Sequence, residues 1–543
     1  MATVIDKPRF YKPAHPARTK PPPADPLLEP SATAARLGLL ASSAVSKDAS
    51  ALQSHAQAGI ELQAAAERDP AEKARQQAEQ IAWLDTARSA LQKSLPLLGI
   101  RVSARECSAL AKHDAVHSFV FRSRRAKHIC ADPIGDPTKR VLQLGVEREE
   151  ELPETALEAM RAVGGELISH PVEFGYDYWT VDQVLRAILP HALEEGAPSA
   201  FSMVGHIAHI NLREEYLAYR YLIGQVILEK TPRVRTVVNK LDTIDTAFRV
   251  FAMELLAGVP EYEAEVSESN CIFQLDFRTV YWNSRLHTEH ARLIQQFHPF
   301  QVVADVMAGV GPFAVPAAKK GAWVLANDLN PNCYESLLRN RERNHVDTHL
   351  QATCQDGRAM VCTSVLTAWN AVYPGVALHD ELKSARQRRK EKGAPQKTAP
   401  KVQRRPRRLV DHFVMNLPAT ALEFLDAYRG IYTRLGDSVG HDALTAELHA
   451  RLEDVAQGDL VEPLPMVHVH CFTKDVENAG QDICARASKV LGLNGAECLT
   501  PPLNDKPGTP DLSLHLVRSV APSKDMYCLS FRLPRSVLFE KNA

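Results

Sequence analysis

An α/β fold built on a doubly wound parallel sheet is predicted by three observations. From about residue 283, helical and extended patterns alternate towards the end of the chain. The extended runs are short and apolar, as strands covered by helices on both faces must be. The first of them, Val302 to Met307, runs into an acid (Asp305) and a turn with Gly309 and Gly311. Sheets of this kind hold ligands at the carboxyl ends of their strands.

Residues 1–95 read as an extension. Up to about residue 30 the chain is proline-rich and expected to be disordered. From about Ala34 to Leu95, alanine mixed with Gln, Glu, Lys and Arg suggests helix. Lys7, Arg9, Lys12, Arg18 and Lys20 stand against Asp6 alone in the first twenty residues, the charge of a mitochondrial signal. Prolines among them work against the amphipathic helix such a signal uses. Residues 96–200 mix strand-like HSFVFRS and KRVLQLGV with helix-like TALEAMRAVG and VDQVLRAIL, and form an α/β domain. Residues 201–280 read as a small mixed α/β domain. SMVGHIAHINL alternates as a strand, and REEYLAYRYLIGQVILEK is a helix with Tyr216, Tyr219, Leu222, Ile223 and Val226 on one face. VRTVVNKL and CIFQLDFRTVYW supply further strands, and Arg249 sits in FRVFAMELLAG.

Residues 281–543 carry the sheet. Arg285, Glu289 and His290 lie on a helix just ahead of its first strand, in VYWNSRLHTEHARL. Pro312 is placed to open the helix after the glycine turn, where its missing N–H costs nothing. GAWVLANDLNP is the second strand, ending at Asp328, and YESLLRNRERNHV a helix. HLQATCQDGRAM is a third strand followed by Asp356 and Gly357. DHFVMNLPATALEFLDAYRG gives a fourth strand ending at Asn416, Leu417 and Pro418, then a helix. PMVHVHCFTK is a fifth, and LSLHLVRSV with MYCLSFRLP an antiparallel pair. Residues 381–408 interrupt this order with twelve Lys/Arg against two Glu. They read either as a solvated disordered insertion or as an arm that follows a phosphate backbone, with strongly salt-dependent binding.

A chain of 543 residues is long enough for two to four domains. Its formal charge of −1 does not mark a nucleic-acid binder, although a local basic face serves as well. Ten cysteines with no C-x-x-C pair point to reduced, packed thiols, and no metal is expected. No apolar run is long enough to cross a bilayer, so a soluble protein is expected.

The glycine turn GVGPFA also fits G-x-G-x-x-A, and Asp328 lies near the spacing of a ribose-binding acid, so an NAD enzyme competes. Three features favour S-adenosylmethionine. Asp305, four residues before the first glycine, can orient the loop or meet the methionine ammonium. Asp356 follows the third strand, where an acid can accept from the adenine amino group. The fourth strand ends in Asn416-Leu417-Pro418, whereas enzymes that methylate an exocyclic amine often carry Asn or Asp, two prolines and an aromatic there. Ala419 stands in place of that aromatic, which argues against a target held by stacking on it.

With LREEYLAYRYLIGQVILEKTPRVRTVVNKL, VYWNSRLHTEH, DVMAGVGPF, DLNP, QDGRA, NLPA and VRSVAPSKDMYCLSFRLP assembled, the chain resembles the archaeal/eukaryotic tRNA (guanine-37-N1)-methyltransferase family, in its fungal form. The resemblance runs from about Ser202 to Pro534, with FGYDYWTVDQVLRAILP upstream. It implies a class I, Rossmann-like S-adenosylmethionine-dependent methyltransferase domain with α/β tRNA-binding domains ahead of it. Methyl transfer would go to N1 of the guanine beside the anticodon, with Glu289 as general base and Arg249 supporting O6. His290, Asp305, Gly309, Gly311, Phe313, Asp328, Leu329, Asp356, Gly357 and Asn416 would bind the cofactor. Tyr281, Arg285, Asn416 and Pro418 would meet the substrate. The partner would be tRNA, held by the anticodon arm and a second region, and the enzyme a monomer of the cytoplasm, nucleus or mitochondrial matrix. Packing readings stand beside these: Glu289 as a first-turn acid capped by Thr288, Arg285 as a surface ion-pair member, Arg249 as a phosphate ligand. Ser267 departs from the family, in which an arginine commonly precedes the glutamate. A related methyltransferase with another target base, or a silent tRNA-binding protein, is the alternative.

Overall fold

The computed structural model describes residues 49–541 apart from 124, 245–247, 249–250, 372, 374–405, 457–463, 502–510 and 522. Arg249 and the basic insertion as far as residue 405 therefore lie outside the described residues. The chain forms two compact units. The first holds Met1–Phe201, Ile210–Arg233 and Leu256–Gly258, and the second Ser202–His209, Val234–Leu255 and Val259–Ala543. The stretch 201–280, read from sequence as one domain, is thus divided, because its central helix is buried among elements of the first unit.

In that unit the alanine-rich stretch makes two helices, Ala49–Arg68 and Pro70–Ala90. Asp69 breaks them: its carboxylate caps the second by accepting from the Ala71 N–H at 2.9 Å, and Pro70 takes the first helical position. The 214–230 segment opens as a 3₁₀ turn, Glu214–Tyr219, before the helix Arg220–Lys230. Tyr216, Tyr219, Leu222, Ile223 and Val226 are all buried, and so is Arg220. Gln76 accepts from the Arg220 guanidinium at 2.9 Å, while Gln80 accepts from the Leu222 N–H and donates to the Ala218 carbonyl, each at 3.0 Å. Buried polar groups require such partners. A four-stranded antiparallel sheet, in the order Ile129–Ala131, Lys139–Gln143, Leu98–Ser103, Glu166–Ser169, carries the helix Glu154–Ala162. HSFVFRS forms no strand in it; its part is a bridge between Val120 and Leu144, since the chain has just left a helical turn at Asp114–His117.

The second unit is organised by a seven-stranded sheet: β1 (Val302–Asp305), β2 (Trp323–Asn327), β3 (Leu350–Thr353), β4 (His412–Met415), β5 (Met466–Thr473), β6 (Leu512–Ala521) and β7 (Lys524–Arg532). The spatial order is β3-β2-β1-β4-β5-β7-β6. The first five pair in parallel, and β7 runs antiparallel to β5 and β6. Every residue of β1 and β4 is buried, as a strand with both faces covered requires. Helices α1 (His287–Gln296), α2 (Ala314–Lys319), α3 (Pro331–Arg343) and α4 (Gly357–Ala371) belong to the same unit. The chain reverses its winding between β1 and β4, so the crevice at their carboxyl ends is the ligand position. This is the doubly wound sheet expected from the sequence. Asn340 accepts from the Gln274 N–H at 2.7 Å, and Asn344 accepts from Ile272 N–H at 2.9 Å and donates to its carbonyl at 2.7 Å. Two helix-borne amides thereby occupy backbone groups of the strand Cys271–Asp276.

The basic insertion departs between the end of α4 and the start of β4. Tyr373 and Arg407 close its root by exchanging backbone hydrogen bonds of 3.0 and 2.8 Å, and Arg408 lies over Trp369. All ten cysteines are unpaired, and no helix among the described residues is long and apolar enough to cross a membrane.

Candidate active site

The glycine turn follows β1. Gly309 and Gly311 have φ of 56° and 99°, a region that only glycine enters freely. A methyl group on Gly309 would meet nothing within 4 Å, so this backbone is open to a ligand. One on Gly311 would sit 2.7 Å from the Leu337 Cδ1 and 2.8 Å from Val315, so that glycine serves packing. The regular part of α2 starts at Ala314, and the Val315 N–H bonds to the Gly311 carbonyl at 3.0 Å, so Pro312 lies in the turn leading into the helix rather than at its first regular residue.

Acids from three strands converge here. Asp328, just past β2, accepts from the Gly309 N–H at 2.8 Å and from the Asn330 N–H at 2.9 Å, tying the turn in place. Burial pushes its carboxyl above the ordinary range against those two bonds. Asp305 is fully buried, and neither carboxylate oxygen meets a donor in good hydrogen-bond geometry among the described residues, although the Met307 and Ala314 backbone N–H groups lie near enough to favour its charge weakly. Burial, with Asp328 beside it, raises Asp305 to about 8. A buried acid without a partner carries a desolvation cost that a donor or cation placed there would offset. Asp356 takes the N–H groups of Arg358 and Ala359 at 2.9 and 3.3 Å at the head of α4. Gly357 lies close enough to Phe424 that a methyl group would meet its ring at 3.1 Å. Leu329 is 55% exposed, an apolar side chain left uncovered at the rim. At the end of β4 the Asn416 Oδ1 is buried without a partner, and the Pro418 carbonyl accepts from Phe472 N–H at 2.9 Å. Asn327 clips the strand ends together, donating to the Val306 and Gln355 carbonyls and accepting from Thr353 Oγ1 and the Gln355 N–H.

The second cluster surrounds Glu289. The turn Ser284–Leu286 is capped by Asn283, and α1 starts at His287, so Thr288 does not cap it. Glu289 is 3% exposed. Its Oε2 accepts from the Arg292 Nε at 2.6 Å, and its Oε1 from Arg292 Nη2 at 2.7 Å and His470 Nε2 at 2.8 Å. Burial alone would raise the carboxyl, but Arg292 and His470 together hold it well below the carboxylate range. Burial likewise lowers His470, yet Cys528 and Glu289 beside it carry it up to about 10. Phe313, in the glycine turn, has its ring centre 5.6 Å from His470 and 4.7 Å from His290. The Glu289 cluster and the turn therefore share a wall. His290 is pinned from its other side by Glu268 at 2.5 Å. Tyr281 is 47% exposed and takes a hydrogen bond from Asn283, and Arg285 reaches Ser202 Oγ at 3.3 Å. The structure thus brings Glu289, His290, Asp305, Gly309, Gly311, Phe313 and Asp328 into one connected neighbourhood.

Residues 264–394 match the TRM5/TYW2 methyltransferase domain family, and residues 181–261 the TYW2 N-terminal domain family. A tRNA (guanine(37)-N(1))-methyltransferase of Coprinopsis cinerea is 46% identical, over 83% of this chain and 94% of that protein. The chain belongs to the tRNA (guanine(37)-N(1))-methyltransferase family. The Schizosaccharomyces pombe enzyme of the same name is 44% identical over 69% of this chain and 77% of its own. A solved complex of aTrm5 with tRNALeu shares the fold, with a TM-score of 0.51 and 17% identity over 81% of this chain and 100% of that one. This member of the methyltransferase family is S-adenosylmethionine-dependent, and its orphaned Asp305 and open Gly309 backbone fit a ligand that brings a cation to the turn.

Sequence reading missed four residues around Glu289: Arg292, His470, His515 and Cys528. The signal was present in HVHCF of β5, whose alternation sets His468 and His470 on one face. A run read as a strand says which face a residue takes, not what stands opposite.

Proposed function

We propose that this chain methylates N1 of the guanosine at position 37 of tRNA, with Glu289 as the base. The observation that carries this is a buried carboxylate, kept ionised by Arg292 and His470, whose partner His470 packs on Phe313 of the glycine turn, in a chain of this family. S-adenosylmethionine supplies a methyl group already activated on a sulfonium. Gly309 and Asp328 would hold the sugar end of the cofactor, Asp305 the ammonium, and Asp356, Gly357 and Leu329 the adenine, with His290 and Phe313 closing the wall. Guanine N1 carries a proton at neutral pH, and its removal places negative charge on O6. Glu289 takes that proton, while Arg249, which lies outside the described residues, supports O6 as the family resemblance implies. Held low by Arg292 and His470, Glu289 is always ionised but a weak base, so orientation and exclusion of water must supply much of the rate. Asn416, with its free Oδ1, and Pro418 would fix the guanine edge, with Tyr281 and Arg285 towards the flanking nucleotides. Reaching the pocket requires the base to leave its stack. Recognition through the anticodon arm and a second region suits a monomer.

The test is transfer of labelled methyl from S-adenosylmethionine to unmodified tRNA with G37, read as 1-methylguanosine. Equal transfer to a tRNA bearing adenosine at 37 would rule the assignment out.

A further inference from the structure

β5, β7 and β6 lie side by side, and their register sets His470, Cys528 and His515 abreast: Cys528 faces His470 across one ladder and His515 across the other. All three stand at the same height beneath Glu289 of α1. The Glu289, His470 and Cys528 side-chain heteroatoms lie within 4.8 Å of one another, and the His515 Nε2 is 3.6 Å from Glu289 Oε2.

The two histidines differ in kind. His470 is fully buried and donates to Glu289 Oε1 at 2.8 Å, which leaves it no route to water. Its side chain is committed to holding the carboxylate. The His515 side chain is 45% exposed, and its nitrogen stands off from the carboxylate rather than bonded to it. A carboxylate oxygen has two lone-pair positions. Oε1 uses both, on Arg292 and His470, whereas Oε2 uses one, on the Arg292 Nε. The position left over is on the oxygen that His515 approaches.

We propose that His515 receives the proton which Glu289 takes from guanine N1 and passes it to solvent. The inference rests on the reading of Glu289 as base. In the step, the N1–H bond breaks and the proton goes to Glu289 Oε2. The electron pair left on nitrogen forms the N–CH₃ bond, and the C–S pair returns to sulfur. The proton then moves from Oε2 to the His515 Nε2, giving an imidazolium that loses it to water, and Glu289 is again a carboxylate. Closing 3.6 Å to hydrogen-bond length takes a side-chain movement of about 1 Å. The charged and titratable groups facing His515 are Arg292 and Glu289 from α1, His470 from β5 and Cys528 from β7. Burial, then Arg292, lower its pKa, Glu289 opposes them, and His470 lowers it further, so the ring is neutral and able to accept at neutral pH.

The experiment uses the full chain with unmodified G37 tRNA under single-turnover conditions, in His515→Gln, His515→Ala and Glu289→Gln variants. Both His515 variants should slow methyl transfer about tenfold or more at pH 7, within the range that general acid–base groups contribute. Binding of S-adenosylmethionine and of tRNA should stay at the wild-type level. The acid-side fall of the wild-type rate profile should vanish in both, and added imidazole should restore His515→Ala but not Glu289→Gln. Histidine NMR of the protein without cofactor should show the His515 titration moving to lower pH in Glu289→Gln. If Glu289→Gln is slow while both His515 variants keep the wild-type rate and profile, the relay is wrong and the base stands. A loss in the His515 variants that imidazole does not restore also overturns the relay. If Glu289→Gln itself runs at the wild-type rate, the base reading falls first.

Discussion

Glu289 and Asp305 are both buried acids, and their surroundings drive them in opposite directions. Glu289 is held ionised by Arg292 and His470, so Glu289→Gln should keep cofactor affinity while losing about 10²–10⁴-fold in methyl transfer, read as single-turnover kcat. Breaking the buried pair from the other side, with Arg292→Met, should cost about 3 kcal/mol of stability in denaturant unfolding, because Glu289 would keep its charge with only one donor. Asp305 has no salt-bridge partner of that kind, and burial, with Asp328 beside it, raises it to about 8 against the weaker pull of His470 and the Met307 and Ala314 N–H groups. Its folded-state pKa lies above the unfolded one, so its contribution to stability is complete below about pH 4 and lost as pH rises to about 8. Asp305→Asn should therefore raise the Tm of the cofactor-free protein above pH 8 and weaken S-adenosylmethionine binding at the same time. A Tm gain without loss of affinity would show that Asp305 does not face the cofactor. At this scale the sequence was informative about acids next to glycines, since a turn motif carries its own geometry. It passed over Arg292, although the pair with Glu289 three residues earlier on one helix is a local pattern, and it was silent about His470, whose meaning depends on a strand 181 residues away.

The elements were legible where local rules decide them. The five parallel strands, the antiparallel pair and the helix Pro331–Arg343 after the second strand fall where periodicity places them, whereas the helices Gly357–Ala371 and Ala479–Leu491 after the third and fifth strands were not read from the sequence, and the helix expected after the fourth is a 3₁₀ segment, Ala421–Tyr428. Errors came where side chains compete for backbone groups: Asp69 splits one expected helix into two, and Asn283 moves the start of α1 away from Thr288. The turn after β1 is the element most sensitive to a single methyl group. Gly311→Ala would place carbon against Leu337 and Val315 in a backbone region closed to alanine, and should cost about 1–3 kcal/mol or more. Cofactor affinity should drop with it, measured by calorimetry. Gly309→Ala meets no atom and should lose affinity with a smaller change in Tm, which separates the contact with the ligand from packing.

At the level of the molecule, sequence order misled once. The helix Arg220–Lys230 belongs by contact to the first unit although its flanking strands belong to the second. No window of sequence contains Gln76 and Arg220 together, so nothing local could announce that pairing. Charge is also distributed unevenly, with a nearly neutral total concealing twelve cations in residues 381–408. Deleting 381–405 should flatten the dependence of tRNA affinity on salt concentration by the number of phosphates those cations neutralise. An unchanged slope would mark the insertion as inert. Its root supports the design of that variant. Where Tyr373 and Arg407 clasp, the two ends of the excursion meet before it begins, beside Trp323 at the amino end of β2, whereas Asn416 stands past the carboxyl end of β4. Relatives are thus free to lengthen, shorten or recolour this excursion over evolutionary time without retuning the chemistry, and a foreign domain grafted there should ride along as cargo.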